Sequence, residues 1–122
     1  MKKILVFALV LLTVLSFASC KSTFNDVVSQ LYEEIPSGYI YSKAQLEELA
    51  SVSGIQGKIL GKADFSTIDE RGVPVEIYVY EFELVSDADY WYKNKTLDYL
   101  YAVVKENVVI YGTSRLIYDI EI

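Results

Sequence analysis

The residues that could do chemistry are few in this chain. There is no histidine among its 122 residues, so Ser-His and Cys-His pairs and histidine-ligated metals are unavailable. No Ser-x-x-Lys spacing occurs after the single cysteine, Cys20, and one cysteine cannot form a disulfide within the chain. Asp64, Asp69, Glu70, Asp87 and Asp89 offer the oxygen ligands that calcium takes. They lack the alternating acids, central glycine and distal glutamate of a calcium loop, so Asp87 and Asp89 read as a helix cap and the others as a turn. Gly54, Gly57 and Gly61 read as a helix stop and strand-entry residues rather than as a phosphate loop, which would want a lysine and a helix after it. The expectation is a protein with no catalytic residues, no metal and no cofactor, hence not an enzyme.

Cys20 is the one residue whose position suggests chemistry. Ahead of it, Lys2 and Lys3 precede an apolar stretch from Ile4 to Leu15, and then come Ser16, Phe17, Ala18 and Ser19. This is the order of charge, apolar core and small-residue cleavage site found in a secretory signal. The core is too short to span roughly 30 Å of hydrocarbon, which takes about 20 apolar residues. The stretch Phe17-Ala18-Ser19-Cys20 resembles the cleavage box of bacterial lipoproteins with type II signal peptides. The resemblance implies that residues 1–19 are removed and that Cys20 becomes the first mature residue, carrying a thioether-linked diacylglycerol. It places the protein in a bacterial cell envelope, anchored to a membrane on the extracytoplasmic side. Two or three acyl chains hold a protein on a bilayer where one binds only marginally, each buried methylene contributing about 0.8 kcal/mol.

Removal of residues 1–19 leaves 103 residues, enough for one domain with a single core. It takes two of the 11 basic residues, leaving nine against 17 acidic ones, a formal charge of −8. Nucleic acid and polybasic contact with anionic lipid are therefore not expected, since both need positive patches. The expected organisation is a short lipidated tether at 20–23 and one domain at 24–122.

Phe24, Val27, Val28, Leu31 and Ile35 recur at helical spacing and predict a first helix, ended by Pro36-Ser37-Gly38. Ser42-Lys43-Ala44-Gln45 is a capping box, with Tyr41 and Leu46 as its hydrophobic staple, and opens a second helix stopped by Gly54. Strands are predicted over 58–66 and 74–84 around the turn Asp69-Glu70-Arg71-Gly72. Ser86-Asp87-Ala88-Asp89 predicts a third helix reaching about Asn94, with Val85 and Tyr90 as a second staple. Strands follow over 96–104 and 108–111 about Lys105-Glu106-Asn107, and Gly112-Thr113 starts a last helix facing Leu116, Ile117 and Ile120 inward. The predicted fold is α+β: a two-layer antiparallel sheet of about four strands with helices on one face, in the order ααββαββα.

The eleven tyrosines are the compositional oddity. Tyrosine and tryptophan join apolar area to a polar edge, which suits interfaces, and Tyr78 and Tyr80 beside Ile77 and Val79 make the middle strand apolar on both faces. Trp91, Tyr92, Tyr78 and Tyr80 are the candidate interaction surface. Adjacent helical residues point about 100° apart, so Tyr90, Trp91 and Tyr92 cannot all face one core; Tyr90 is expected inside, with Trp91 or Tyr92 partly outside. The function expected is a membrane-anchored, non-enzymatic lipoprotein mediating contact with another envelope protein or maintaining the envelope. The alternative is a small-ligand or glycan-binding lipoprotein.

Overall fold

A computed structural model describes residues 23–52 and 57–121. The signal segment, Cys20 and the Gly54 helix stop lie outside the described residues. The first helix, α1, occupies 23–34, and all five of its predicted apolar positions, Phe24, Val27, Val28, Leu31 and Ile35, are buried. Pro36 lacks the N–H that a further turn needs.

The chain then enters a short strand the sequence reading missed, β1 (Gly38–Ile40). Three residues opening on glycine carry no strand signal of their own. Pairing holds them instead: Gly38 lies opposite Phe65, Tyr39 opposite Asp64 and Ile40 opposite Ala63. Gly38 is required by close approach, because a Cβ there would stand 2.3 Å from the Phe65 ring and 2.9 Å from Tyr32.

The second helix, α2 (Lys43–Val52), is capped as its sequence predicts. The Gln45 N–H donates to Ser42 Oγ at 3.3 Å, and the Ser42 N–H donates back to Gln45 Oε1 at 2.9 Å. Strands β2 (Ile59–Ile68) and β3 (Pro74–Phe82) follow as an antiparallel hairpin. Its turn is closed by Asp69 Oδ1, which accepts from the N–H groups of Arg71 and Val73. Those hydrogen bonds, Val73's foremost, hold the Asp69 carboxyl below the usual carboxylate range.

The third helix, α3 (Val85–Lys95), has the predicted length but a different start. Leu84 is the residue before its first turn, and no side chain caps it; Ser86 and Asp87 lie inside the helix. The chain leaves α3 through turns over 96–100 rather than a strand, because Thr96 Oγ1 donates to Tyr92 O at 2.6 Å and the Tyr99 N–H to Thr96 O at 3.1 Å. Only then does β4 (Tyr101–Lys105) begin, turning at Glu106, whose φ is +54°, into β5 (Val108–Gly112). The last element is a five-residue 3-10 helix (Arg115–Asp119), not an α-helix. Ser114 Oγ caps it by accepting from the Leu116 N–H. Ile117 is buried, and Leu116 and Ile120 pack beside it.

The fold is thus α+β with five strands rather than four, all paired antiparallel in the order β1-β2-β3-β5-β4. The predicted ααββαββα order is corrected by β1 and by the 3-10 ending. The helices do not share one face. On one side α1 and Ile117 cover Ala63, Phe65, Ile77, Val79, Val108 and Ile110. On the other, α3 through Ala88 and Trp91, with Leu46 and Leu49 of α2, covers Ile59, Tyr80, Phe82, Val109 and Tyr111. The physical reason is the alternation of β3 and β5, which are apolar on both faces and need two covers.

Candidate functional site

The α2/α3 side of the sheet carries the polar and aromatic side chains that could act. Register places them: Lys62 lies opposite Tyr80, Asp64 opposite Tyr78, Tyr78 opposite Tyr111 and Tyr80 opposite Val109. Lys62 is only 5% exposed. Its Nζ stands 2.7 Å from Asp64 Oδ1 and 4.2, 5.0 and 5.8 Å from the ring centroids of Tyr41, Tyr80 and Tyr78. Tyr41 Oη donates to the other carboxylate oxygen of Asp64 at 2.7 Å. The ammonium therefore has a counter-ion and faces of negative π density around it. It is held as a structural cation rather than presented as a reactive amine.

From this cage a run of rings crosses the sheet. Tyr80 and Phe82 lie 4.9 and 5.8 Å from Trp91, Tyr80 lies 6.0 Å from Tyr111, and Tyr111 lies 4.7 Å from Tyr99. The Trp91 indole N–H is buried near the Tyr111 hydroxyl but outside hydrogen-bond geometry. Burial raises the phenols of this face. Tyr111 is pushed up to about 12, and Tyr41 to about 12 by burial and by its bond to Asp64. Tyr78 and Tyr80 are raised further, chiefly by burial.

These phenols ionise near 10 in an unfolded chain, so their ionisation favours unfolding. The stability they share is complete below about pH 10 and is lost as pH climbs through about 12. A tyrosinate absorbance titration is expected to show four of the eleven tyrosines lagging the rest and ionising as the fold opens. All eleven titrating together near pH 10 with the fold intact would contradict this.

The candidate surface residues divide. Tyr78 and Tyr92 are half-buried, whereas Tyr80 and Trp91 are interior, Trp91 being 8% exposed. Of the three adjacent rings, Tyr90 is 42% exposed rather than inside and Trp91 is inside, while Tyr92 is partly outside, as one of the two expected alternatives has it. Because α3 starts at Val85, Ala88, Trp91 and Tyr92 share the sheet-facing side, and the Val85–Tyr90 staple does not form, both being exposed. That at least one of the three rings is outside holds.

The accessible aromatic and apolar surface lies further along, beside β4. A shallow groove of about 450 Å³ is lined by Tyr92, Thr96, Leu97, Leu100, Ala102 and Tyr118, among others. Leu97 and Leu100 are 77% and 78% exposed, and Tyr99 and Tyr118 are also exposed. Tyr118 meets Tyr101 edge-on at 5.3 Å. Strand β4 is an edge of the sheet, so its outward N–H and C=O groups have no ladder partner among the described residues. Neither this groove nor the Lys62–Asp64 pair was singled out from the sequence. The available signal was the i, i+2 spacing of Lys62 and Asp64 against that of Tyr78 and Tyr80.

Among the described residues, no group of three or more carboxylate, histidine or cysteine side chains could hold a metal, and no helix is long and apolar enough to cross a membrane. Comparison of the chain with protein-family models, with curated proteins and with solved structures found no match.

Proposed function

We propose that the chain is a non-enzymatic, lipid-anchored protein of a bacterial cell envelope, tethered at Cys20, whose folded part is bound by another envelope protein along β4. The observation that carries the binding half is the groove. Two leucines more than three-quarters exposed, flanking an open strand edge, form a place where an extended segment can add main-chain hydrogen bonds and seat alternate apolar side chains. The anchoring half is supported by the order of charge, apolar core and small residues before Cys20. A small-ligand or glycan reading has less support, because the rings under α3 stack on one another rather than line a cavity.

The test is capture after mild crosslinking in native membranes, comparing the natural chain with Leu97→Asp combined with Leu100→Asp. Exposed positions of this kind usually change stability by no more than about 0.5 kcal/mol each, so the melting temperature is expected to hold. Capture of the partner is expected to fall by about tenfold or more, the effect of losing roughly 1.4 kcal/mol of binding. Equal capture by both chains, or the same loss in a variant changed only at exposed Ile68 on the β2–β3 hairpin, would contradict the role of the groove.

A further inference from the structure

We infer that the end of the sheet carrying Leu60, Leu84 and Val85 rests on the bilayer, with these side chains in its interface, and that the β4 groove faces away from it. The inference rests on lipidation at Cys20 and adds the orientation. Cys20 is three residues before Thr23, where α1 has begun, and three extended residues reach only about 10 Å. The first turn of α1 is fixed in place by Phe24, whose ring lies 3.0–3.2 Å from where a Cβ on Gly61 would stand. Its last turn is fixed by Tyr32, which stacks edge-on with Phe65 and donates to Gly38 O. So α1 runs along β2 with its first turn over the Gly61 end.

That end is defined by pairing. Ile59 lies opposite Phe82, the Glu83 N–H donates to Lys58 O, and the Phe82 N–H donates to Asn107 O. Leu60, Leu84 and Val85, all exposed, therefore cluster at the end from which the tether leaves. The far end is equally well defined: Tyr101, Gly112, Ile77 and Phe65 share one row across the sheet, and Leu97, Leu100 and exposed Ile68 belong to it.

A bilayer is the occupant these features favour. The tether reaches from this end and no other, and the carboxylates of this end outnumber its lysines. Lys58 pairs with Glu83 at 3.6 Å and Lys105 is followed by Glu106, both exposed, while Asp26 in the first turn of α1 and Asp87 in that of α3 add negative charge, which leaves apolar contact rather than attraction to anionic headgroups as the interaction.

The test uses the full chain, lipidated and added to vesicles of zwitterionic phospholipid brominated on the acyl chains, with an environment-insensitive dye on Val85→Cys or, separately, on Ile68→Cys. With Cys20 alkylated, the introduced thiol is the only one free. The dye at position 85 is expected to lose about half its emission, since interfacial apolar groups sit about 5–10 Å into the headgroup and acyl boundary, and the dye at 68 to lose none. Because this end carries more carboxylates than lysines, replacing a fraction of the lipid by anionic phospholipid is expected not to increase the loss at position 85, and an increase would overturn apolar contact as the interaction. Equal quenching at the two positions in a chain that floats with the vesicles overturns the orientation alone. A chain that does not float, and whose Cys20 itself takes the dye, overturns the anchoring and the orientation together.

Discussion

Asp64→Ala is expected to destabilise the fold by about 3–5 kcal/mol, whereas Lys62→Met costs less than about 1.5 kcal/mol. Removing the carboxylate leaves the Lys62 ammonium, 5% exposed, without its counter-ion at 2.7 Å and takes away the acceptor of the Tyr41 hydroxyl. The rings of Tyr41, Tyr80 and Tyr78 offset part of this, cation–π contacts contributing up to about 2 kcal/mol when desolvated. They cannot replace a full negative charge. Methionine at 62 keeps most of the apolar stem, which the rings still surround. It leaves Asp64 with the Tyr41 hydrogen bond and partial access to water, its side chain being 30% exposed.

For a domain of this size 1 kcal/mol corresponds to about 4–8 °C in melting temperature. Asp64→Ala should therefore melt about 12 °C or more below the natural chain. Thermal and urea unfolding of the two single variants decide the matter. A Lys62→Met chain as unstable as Asp64→Ala would mean that the cation itself, rather than its neutralisation, holds β2, β3 and Tyr41 together on this face of the sheet.

The parts of the fold legible in the sequence were those whose signals repeat over many residues. Helix α1 announces itself by five apolar positions, and α2 by two reciprocal hydrogen bonds of its capping box. The β2–β3 hairpin is announced by Asp69 and Gly72 in its turn. Strand β1 was not legible, because three residues specified by their partners in β2 leave no pattern in their own segment. The inward face of α3 shows how a small boundary error changes a functional reading. Placing the cap at Ser86 rather than Leu84 turns the assumed apolar face about the axis by 100° for each residue of displacement, and Tyr90 and Trp91 exchange places.

The candidate site was legible only as a composition. That Tyr78 and Tyr80 lie on one strand face follows from alternation. That Lys62 and Asp64 lie against them follows from the β2–β3 register, which the turn implies but which no single segment states. The groove beside β4 was hidden for a different reason. Leu97 and Leu100 are apolar residues in a segment rich in strand formers, and such residues read as core. Thr96 and its hydrogen bond to Tyr92 O divert the chain into turns that leave them outside.

In the proposed account an anchor at Cys20 sets the place and orientation of the folded chain, and Cys20→Ala is the variant expected to have an all-or-none effect. A thioether to diacylglycerol can form only on sulfur, and two or more buried acyl chains separate stable membrane residence from transient contact. Intact-mass measurement of the natural chain and of Cys20→Ala, after growth of a bacterial host on an alkyne-tagged fatty acid, tests this directly. The natural chain is expected to carry the label, to lack residues 1–19 and to begin at lipidated Cys20, while Cys20→Ala is expected to remain full length and unlabelled. An unlabelled natural chain cut at some other bond, or a Cys20→Ala chain that takes up the label and is cut at the same place, would contradict the account.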